Sequence, residues 1–536
     1  MIDSTRLASV LRVSRIALAS ALRVVRIALV AGLVLAASNA GAAAAPNIVI
    51  LLADDLGWND VGYHGAPIET PSIDRLAREG VELDRFYSQP ICTPTRAALL
   101  TGRSPLRTGL VFGVVREWDY FGLPQGEHLL SETLRAAGYQ TAIVGKWHLG
   151  HAHALQTPTR RGFDRFYGHL LGELDYYTHS RFGGIDWQRD GETIREEGYT
   201  TDLIADEAVR LVERRDPARP LFLYVPFNAP HSPLQAPPEL VERYAGLSSA
   251  ENVASHDAFV AGVAARLGLS PEAAARIVDP PGAAPRPVFA AMVDRMDQAI
   301  GRVLAALDRA GIADDTIVLF FSDNGGHIAQ GASNAPLRGE KSTVFEGGIR
   351  VPAAVRWPNG LRGGRRVAQT VTAMDVFPTL LAAAGVEPAR AVDFDGVDRW
   401  RAIRDPKAAA VAPEEIVFGV NGVVGRQEAI RHGRWKLIRT LGHPGDPTRI
   451  LLFDVEGDPH EEHDLAVQQP ERVRDLVARL DRWIALYPPG GAQGIHWPHP
   501  GWVPPADYGA AVRRDPPPAP PSASAAKPAD PAAHGR

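Results

Sequence analysis

The chain has little cysteine, no excess of basic residues and no apolar run long enough for a comfortable membrane span. Cys92 is the one cysteine among 536 residues, so the chain forms no internal disulfide. The net charge is −5 at pH 7, and no Lys/Arg tract interrupts the body of the chain, which argues against a nucleic-acid-binding surface. Hydrophobic residues make up 45% and charged residues 22%, as is ordinary for a globular protein.

The first 45 residues have the pattern of an export signal. An arginine-containing stretch leads into an apolar run at residues 27–37, and small residues follow at 38–45. A basic region, a short apolar region and a small-residue cleavage zone are typical of a signal peptide. The apolar run is too short for a comfortable transmembrane helix. We therefore predict an exported protein, periplasmic or secreted, with an uncleaved N-terminal membrane anchor as the alternative.

From residue 46 onward, apolar runs alternate with amphipathic segments. The predicted strands cover 47–52, 140–144, 221–225 and 316–321. The predicted helices cover 72–79, 131–137, 202–214 and 292–309, and a further helix begins just after Cys92. This alternation predicts an α/β domain over residues 46–405, with a mainly parallel sheet sandwiched by helices.

The pattern changes after about residue 405. Short strands at hairpin spacing are predicted at 415–420, 427–431, 434–439 and 450–454, and a helix at 470–483. Residues 406–500 are therefore predicted to form a smaller antiparallel sheet with one helix. The proline- and alanine-rich residues 501–536 predict a disordered tail. Residues 245–290 are alanine-rich and predicted to be a helical insertion, to which we assign no role.

Oxygen-bearing side chains follow two of the predicted strands. Asp54 and Asp55 come after the first strand, and Asp323 and Asn324 come after the strand at 316–321. Ligands of open parallel sheets bind at the carboxyl ends of the strands. Three carboxylates and an amide oxygen suit Ca²⁺ or Mg²⁺, whereas the Cys/His spacing of a zinc site is absent. Either pair alone is as readily a turn or a helix cap; the two together favour a metal site.

The cysteine lies in a distinctive string. In Cys92-Thr93-Pro94-Thr95-Arg96 the cysteine lies just before the N-terminus of a predicted helix, and Thr-Gly-Arg follows at 101–103. A helix N-terminus and an arginine one turn into the helix favour negative charge on the cysteine side chain. A buried, inert cysteine is the alternative for such a lone residue.

This string resembles the formylglycine-dependent sulfatases, whose modification signal is Cys-x-Pro-x-Arg followed by Thr-Gly-Arg. A second signature of that family resembles residues 138–148, Gly-Tyr-Gln-Thr-Ala-Ile-Val-Gly-Lys-Trp-His. The resemblance extends from residue 47 to the C-terminal strands and implies an alkaline-phosphatase-like α/β fold. Shorter stretches at 171–179, 186–191 and 226–237 look like the arylsulfatase B (N-acetylgalactosamine-4-sulfatase) branch.

The resemblance also implies a metal centre. The positions that match the family's metal ligands are Asp54, Asp55, Asp323, Asn324 and the modified Cys92. The family resemblance implies Ca²⁺ as the ion, and the all-oxygen donor set leaves Mg²⁺ open. Cys92 would be converted to formylglycine by a separate formylglycine-generating enzyme and would then be the nucleophile.

Five further positions match residues that act on the nucleophile or the substrate in that family. Arg96 and Lys146 match the basic residues that hold the nucleophile, and His148 matches a histidine near it. His231 and Lys341 match the pair that contacts sulfate and the leaving oxygen. Taken singly, Lys341 would more often be a solvated surface residue and His231 a loop residue with a local hydrogen bond; the joint pattern carries the assignment.

The predicted function is hydrolysis of a sulfate ester on an aryl compound or a carbohydrate. Two alternatives stay open: a phosphonate monoester hydrolase or phosphodiesterase of the same superfamily, and an inactive glycan-binding protein in which Cys92 stays a thiol. The predicted partners are a sulfated small molecule or glycan and the maturation enzyme, without nucleic acid or stable membrane insertion. Tyr176, Tyr177 and Trp187 predict either a sugar- or aryl-binding wall or core packing.

Overall fold

The computed structural model describes residues 45–247, 285–405, 415–422, 425–442, 447–492 and 501–513, together with isolated positions between these ranges. The predicted signal peptide and most of the predicted insertion at 245–290 lie outside the described residues. Within the described part, no helix is both long and apolar enough to cross a membrane.

The strands are short and are numbered here in chain order. They are β1 (Asn47–Ala53), β2 (Val81–Leu83), β3 (Phe86–Tyr87), β4 (Gln140–Lys146), β5 (Arg165–His169), β6 (Ser180–Arg181), β7 (Gly184–Ile185), β8 (Gln188–Arg189), β9 (Glu192–Thr193), β10 (Leu221–Pro226), β11 (Thr316–Ser322), β12 (Ala353–Arg356), β13 (Arg365–Val367), β14 (Val371–Thr372), β15 (Glu415–Gly422), β16 (Gly425–His432), β17 (Trp435–Leu441) and β18 (Arg449–Asp454).

The helices lie between these strands. They are α1 (Pro71–Glu79), α2 (Cys92–Thr101), α3 (Pro105–Thr108), α4 (Leu130–Ala136), α5 (Thr200–Glu213), α6 (Pro238–Arg243), α7 (Pro285–Arg309), α8 (Glu346–Ile349), α9 (Val376–Ala384), α10 (Trp400–Arg404) and α11 (Pro470–Ile484). The largest shift from the predicted bounds is at α7, which begins at Pro285 instead of residue 292. Prolines at the start of a helix need no amide hydrogen, so they do not stop it there.

A ten-stranded mixed sheet forms the centre of the described chain, in the order β13-β2-β12-β11-β1-β10-β4-β5-β8-β9. The strands β11, β1, β10, β4 and β5 are parallel neighbours. Strands β12 and β8 pair antiparallel on either side of this group. This confirms the predicted mixed, mainly parallel sheet.

Both faces of the central strands are buried. Val49 and Leu51 of β1 belong to one apolar cluster with residues of α1, α5 and α7. The alternate residues Ile48 and Ile50 point to the opposite face, because side chains alternate along a strand, and they are also fully buried. A strand covered on both faces is apolar without alternation, which is why β1 was recognisable in the sequence.

The C-terminal strands form a separate sheet in the order β15-β16-β17-β18, all antiparallel. Helix α11 packs on it through Leu476 and Leu480, in a cluster that also holds Ile430 and Leu452. Phe112, from the segment after α3, joins the same cluster and connects this sheet to the larger domain. The predicted small antiparallel sheet with one helix is confirmed, whereas its exact limits at 406 and 500 stay predictions.

The predicted disorder from residue 501 is wrong for residues 501–513. The amide of Ile185 donates to Ala506 O at 3.0 Å, and the amide of Tyr508 donates to Ile185 O at 2.9 Å. Thr193 Oγ1 donates to Asp507 Oδ1 at 2.7 Å, and Tyr508 is only 2% exposed. One buried aromatic residue and several backbone hydrogen bonds order a segment whose composition alone favours disorder. Residues 514–536 lie outside the described residues.

A buried charged cluster connects the C-terminal sheet to the larger domain. Lys436 of β17 lies with its Nζ 3.0 Å from Glu346 Oε1 and 2.8 Å from Glu461 Oε1, and all three side chains are fully buried. Tyr87 donates to Glu346 Oε2 at 2.7 Å, and the amide of Glu346 donates to Glu461 Oε2 at 2.7 Å. One ammonium group thus faces two carboxylates, and burial raises the pKa of Glu461 from 4.5 to about 7.

We expect Glu461→Gln to remove part of the pH dependence of stability. Because the folded pKa lies above the unfolded value, this carboxyl contributes least to stability above pH 7 and its contribution falls as pH rises from about 4.5 to about 7. The free energy of unfolding of the variant minus that of the parent should therefore increase by roughly 1–3 kcal/mol between pH 5 and pH 8. Urea unfolding at both pH values measures this difference.

The control for this prediction is Glu462→Gln, which changes an exposed neighbour of the same type. Its free energy difference from the parent should stay constant between the two pH values. Parallel pH profiles for the parent and Glu461→Gln would contradict the prediction.

Candidate active site

Four adjacent parallel strands deliver polar side chains to their carboxyl ends. Ala53 and Ser322, the last residues of β1 and β11, are paired in register. Asp54 and Asp323 therefore lie side by side, and the Asp323 amide donates to Ala53 O at 3.0 Å. The residues that follow the four strands are Asp323 and Asn324 after β11, Asp54 and Asp55 after β1, His231 after β10, and His148 after Lys146 at the end of β4.

Three of the five predicted metal ligands, Asp54, Asp55 and Cys92, converge with His231 on one buried point. One ligand atom each of Asp54, Asp55, Cys92 and His231 lies within 4.8 Å of the others. Asn324 Nδ2 donates to Asp55 Oδ1 at 2.7 Å. Asn324 Oδ1 is buried and has no hydrogen-bond partner among the described residues. A free amide oxygen beside clustered carboxylates is the arrangement that a hard cation such as Ca²⁺ requires, so the donor set fits the predicted ion.

The carboxylates at this point affect one another's ionisation. Burial and the neighbouring Asp54 carboxylate raise the pKa of Asp323 to about 6. Burial acts in the same sense on Asp55, but the ammonium of Lys341, whose Nζ lies 2.6 Å from Asp55 Oδ2, holds the pKa of Asp55 well below its usual range. Like charges in one buried site favour the binding of a cation, because a cation relieves their repulsion.

Cys92 is the first residue of α2, is 2% exposed, and donates through Sγ to Asp54 Oδ1 at 3.4 Å. Burial and the carboxylates of Asp323 and Asp54 raise the pKa of the Cys92 thiol well above its ordinary value. For a thiol at position 92, burial and the carboxylates therefore outweigh the helix N-terminus and Arg96. Arg96 pairs with Asp323, with Nη2 2.7 Å from Oδ2.

Two fully buried cations hold the strand ends together. Lys146 Nζ lies 2.5 Å from Asp54 Oδ2. Arg96 Nη1 donates to the carbonyl oxygen of Lys146 at 3.2 Å, while its Nε donates to Asp323 Oδ2 at 3.1 Å. Helix α2 is thereby fixed against β4 and β11, and this places Cys92 beside the carboxylates.

His148 lies beside Cys92 in the same pocket and is neutral. Its backbone has a φ of 58°, in the left-handed region. Nε2 lies 3.0 Å from Val115 O, so Nε2 carries the proton, and the buried Nδ1 has no partner among the described residues. Burial and the Lys146 ammonium lower the pKa of His148 well below its ordinary value. A side chain at Gly172 would place its Cβ 2.5 Å from His148 Nε2, so the ring needs glycine there.

His231 lies between the carboxylate cluster and the pocket. Its Nε2 is 3.6 Å from Asp55 Oδ2, and its Nδ1 is 2.7 Å from Ser232 O. Burial and the Lys341 ammonium lower the pKa of His231 to about 4. Tyr176 OH lies 2.6 Å from Asn228 O and 2.8 Å from the His231 carbonyl oxygen, so it holds the turn that carries His231.

The sequence predicts either a substrate-binding wall or core packing for Tyr176, Tyr177 and Trp187, and the structure separates these residues. Tyr176 and Trp187 are fully buried, and Trp187 stacks on His179 with ring centroids 4.8 Å apart. Core packing is therefore the role of these two residues. Tyr177 is 45% exposed, and the possibility of a substrate-binding wall stays open for that residue.

A pocket of about 100 Å³ opens above Cys92, lined also by His148, His231 and Lys341. Sequence reasoning missed Glu173 in its wall. Glu173 Oε2 lies 3.7 Å from His231 Nδ1, and its other oxygen pairs with Arg181. No motif marks this glutamate: a single acidic residue within the stretch 171–179 is typical of a solvent-exposed position, and only the fold brings it close to His231.

Comparison with known proteins identifies the family that the sequence motifs resemble. The family model described as Sulfatase matches residues 46–386, and the one described as N-sulphoglucosamine sulphohydrolase, C-terminal, matches residues 339–485. Arylsulfatase J of Mus musculus is 34% identical over 82% of this chain and 75% of its own length. N-acetylgalactosamine-6-sulfatase of Canis lupus familiaris is 34% identical over 68% of each chain. The 4-sulfatase branch is not confirmed.

Solved structures agree. The crystal structure of Ps i-CgsB has a TM-score of 0.71 and 30% identity, and the match covers 84% of this chain and 95% of that chain. The phosphonate monoester hydrolase of Agrobacterium radiobacter shares the fold, with a TM-score of 0.57 and 21% identity. Because the family model spans more than half of the sequence and arylsulfatase J is 34% identical over 82% of it, the chain belongs to the sulfatase family of sulfuric ester hydrolases.

Proposed function

We propose that this sulfatase hydrolyses carbohydrate sulfate esters, using a formylglycine made from Cys92 and a bound Ca²⁺. The observation that carries the proposal is the position of Cys92, a buried side chain lining the pocket and lying close to carboxylates and to a free amide oxygen. Burial and those carboxylates raise the pKa of its thiol, and a protonated thiol is a poor nucleophile, which favours a modified side chain at this position.

Formylglycine and calcium have defined places in this proposal. Asp54, Asp55, Asp323, Asn324 and the modified side chain at position 92 would hold Ca²⁺, which when bound would supply positive charge to the sulfate oxygens. Cys92 Sγ stands in for one hydroxyl oxygen of the hydrated aldehyde. The hydrate supplies one hydroxyl that displaces the alcohol from sulfur and a second whose deprotonation releases sulfate.

The cations of the chain itself prepare the site for an anionic ester. The three carboxylates Asp54, Asp55 and Asp323 are balanced by Lys146, Lys341 and Arg96. A divalent cation added to this balanced set leaves net positive charge, which complements a sulfate ester and the charge that develops on its oxygens. Lys341 is the most exposed of the three cations, with 16% of its side chain accessible, and it contacts the substrate from the pocket side.

The two histidines act at opposite stages of the reaction. His148 is neutral, with Nδ1 free to accept a proton, and therefore serves as the base when sulfate is released. His231 lies at the pocket wall with Lys341, and the pair assists the departing alcohol. The Lys341 ammonium is the proton donor, because His231 is unprotonated near neutral pH. Tyr176 acts through His231 as a positioning residue, since its hydroxyl holds the turn without reaching the pocket.

The proposed substrate class is a sulfated sugar. Among the relatives, the name N-acetylgalactosamine-6-sulfatase denotes a carbohydrate ester and the name arylsulfatase an aryl ester. The shorter stretches at 171–179, 186–191 and 226–237 resemble the N-acetylgalactosamine-4-sulfatase branch. The 4-sulfate and the 6-sulfate of N-acetylgalactosamine should therefore both be tested as substrates. Maturation by a formylglycine-generating enzyme and export through residues 1–45 belong to the proposal and are supported by the sequence signals alone.

Replacing Cys92 by alanine tests the nucleophile. The mature parent, co-expressed with a formylglycine-generating enzyme, should hydrolyse 4-nitrophenyl sulfate, and Cys92→Ala should lose at least about 10⁴-fold in kcat because no nucleophile remains. Mass spectrometry of the peptide that carries residue 92 should show loss of the thiol in the parent.

Three results would contradict this part of the proposal. A converted parent that cleaves phenylphosphonate esters faster than aryl and N-acetylgalactosamine 4- or 6-sulfates is a phosphonate hydrolase. A parent that keeps the thiol after co-expression and binds sulfated glycans without cleaving them is a binding protein. Equal activity of the parent and Cys92→Ala removes Cys92 from the mechanism.

Replacing Asn324 by alanine tests the metal site. Calorimetric titration of the chelator-treated parent should show Ca²⁺ binding, and Asn324→Ala should weaken it at least about tenfold because a ligand oxygen is lost. Asn359→Ala, at an exposed asparagine, should bind Ca²⁺ like the parent. Tighter binding of Mg²⁺ than of Ca²⁺ would show that the choice of calcium is wrong, and unchanged affinity in Asn324→Ala would exclude Asn324 as a ligand.

Replacing Tyr176 by phenylalanine tests the placement of His231. The ring stays, but two carbonyl oxygens lose their donor, so stability should fall by about 1 kcal/mol and kcat/KM by about tenfold. Tyr120→Phe, at an exposed tyrosine that does not line the pocket, should change neither value. Full activity in Tyr176→Phe would mean that the turn keeps its conformation without this hydrogen bond.

A further inference from the structure

We propose that a groove at the amino ends of the central strands binds a sulfated polysaccharide chain, separately from the active site. The identity of this ligand rests on the proposed function, since the same polymer would carry the esters that the enzyme cleaves. The groove, named here the arginine groove, has a volume of about 1020 Å³. Its charged lining residues are Arg135, Asp164, Arg165, Arg189, Asp190, Glu207, Arg210, Arg214, Arg215 and Arg219.

The arginine groove lies at the opposite end of the sheet from the catalytic residues. Gln140, the first residue of β4, lines it, whereas Lys146, the last residue of the same strand, lies in the active site. About 20 Å separates the two ends of such a strand. The start of β5, the start of β10 and the last turns of α5 complete its walls. A ligand in the groove therefore leaves the catalytic pocket open.

Arginine outnumbers the acidic residues in this lining, seven to three. Each of the three carboxylates already has an arginine partner. Arg135 pairs with Asp164 at 2.8 Å, and Arg165 pairs with Asp190 at 2.9 Å. Glu207 accepts from Arg189 at 2.8 Å and also pairs with Arg210. The acidic groups therefore neutralise only part of the positive charge, and the excess lies in a chain whose net charge is −5.

The uncompensated charge is concentrated after α5. No carboxylate of the described residues forms an ion pair with Arg214, Arg215 or Arg219, although the last two donate to backbone carbonyls. Arg214 and Arg219 are exposed. Guanidinium groups bind sulfate and carboxylate oxygens through paired N–H donors. Three adjacent guanidinium groups without acidic partners thus form a site for a repeating oxyanion.

The size of the groove also favours a polymer over a single anion. Its volume reaches the upper end of the range for ligand pockets, about 300–1,000 Å³, so it has room for several sugar units. A chain held there would stay near the enzyme between catalytic events and would raise the local concentration of its esters at the active site. A small aryl ester carries no such chain and gains nothing from the groove.

Charge reversal in the groove tests this proposal. The double variant Arg214→Glu/Arg215→Glu is compared with Arg474→Glu/Arg482→Glu, which makes the same charge change at exposed positions of α11. The binding of fluorescently labelled chondroitin sulfate to the mature full-length protein is measured by anisotropy at two salt concentrations. The hydrolysis of 4-nitrophenyl sulfate is measured in parallel.

We expect the groove variant to bind chondroitin sulfate at least about tenfold more weakly than the parent, with a smaller salt dependence. The α11 variant should stay within about twofold of the parent, and both should keep full activity on 4-nitrophenyl sulfate. The milder Arg214→Gln/Arg215→Gln variant should show an intermediate loss of binding, which separates a charge effect from misfolding.

Equal weakening in the groove and α11 variants would overturn the proposal, because binding would then follow net charge alone. Unchanged binding in the groove variant would also overturn it. The parent could instead bind phosphatidylglycerol vesicles and not chondroitin sulfate. If the groove variant lost that vesicle binding, the groove would be assigned to an anionic membrane and the proposal would be overturned. Absence of 4-nitrophenyl sulfate and sugar sulfate hydrolysis in the converted parent contradicts the proposed function and is a separate result from any of these.

Discussion

The arrangement of the active site depends on the pairing of buried charges at the carboxyl ends of adjacent strands. Asp54 pairs with Lys146, and Asp323 pairs with Arg96, and all four side chains are inaccessible to solvent. Leaving any one of them without its partner in the interior would be strongly destabilising. The two pairs therefore fix β1, β4, β11 and α2 relative to one another. Cys92 takes its place beside the carboxylates because it begins the helix that Arg96 fastens.

A second cluster of paired, buried charges lies where the larger domain contacts the C-terminal sheet. Lys436 lies between Glu346 and Glu461, and Tyr87 completes the hydrogen bonding. Lysine is scarce in this chain, with five residues against a large number of arginines. Three of the five, Lys146, Lys341 and Lys436, form ion pairs with carboxylates inside the protein. The compact ammonium group of lysine fits these confined sites, although arginine is buried at the active site too, as Arg96.

The distribution of charge separates the two ends of the central sheet. At the carboxyl ends, cations and carboxylates balance and leave room for a metal ion and an anionic ester. At the amino ends, arginine exceeds acid, and the excess lies open to solvent. Both features are set by residues directly before or after the same strands. A fold of this kind can therefore carry a catalytic centre and a separate anion-binding surface with little interference between them.

The strands and helices of the central sheet were predictable because local patterns are strong there. β1 and β11 are continuous apolar runs, and α1 begins at a proline and ends before Gly80. The segment 501–513 was not predictable, because its order depends on Tyr508 filling a site formed by residues far away in the chain. The start of α7 was predicted seven residues too late, because Pro285 and Pro287 are first-turn residues of the helix and are compatible with its start.

The sequence by itself determined the family, the fold class and the residue types at the metal site, because the motif around Cys92 and the strand-end carboxylates are local in the chain. Only the tertiary structure decided which atoms meet. It brought Glu173 to His231 and Tyr176 beneath the His231 turn, and it left Asn324 Oδ1 without a partner. It also surrounded Cys92 with carboxylates that, together with burial, raise the pKa of its thiol. The ionisation of a buried group depends on charges contributed by distant segments, and no local pattern records those charges.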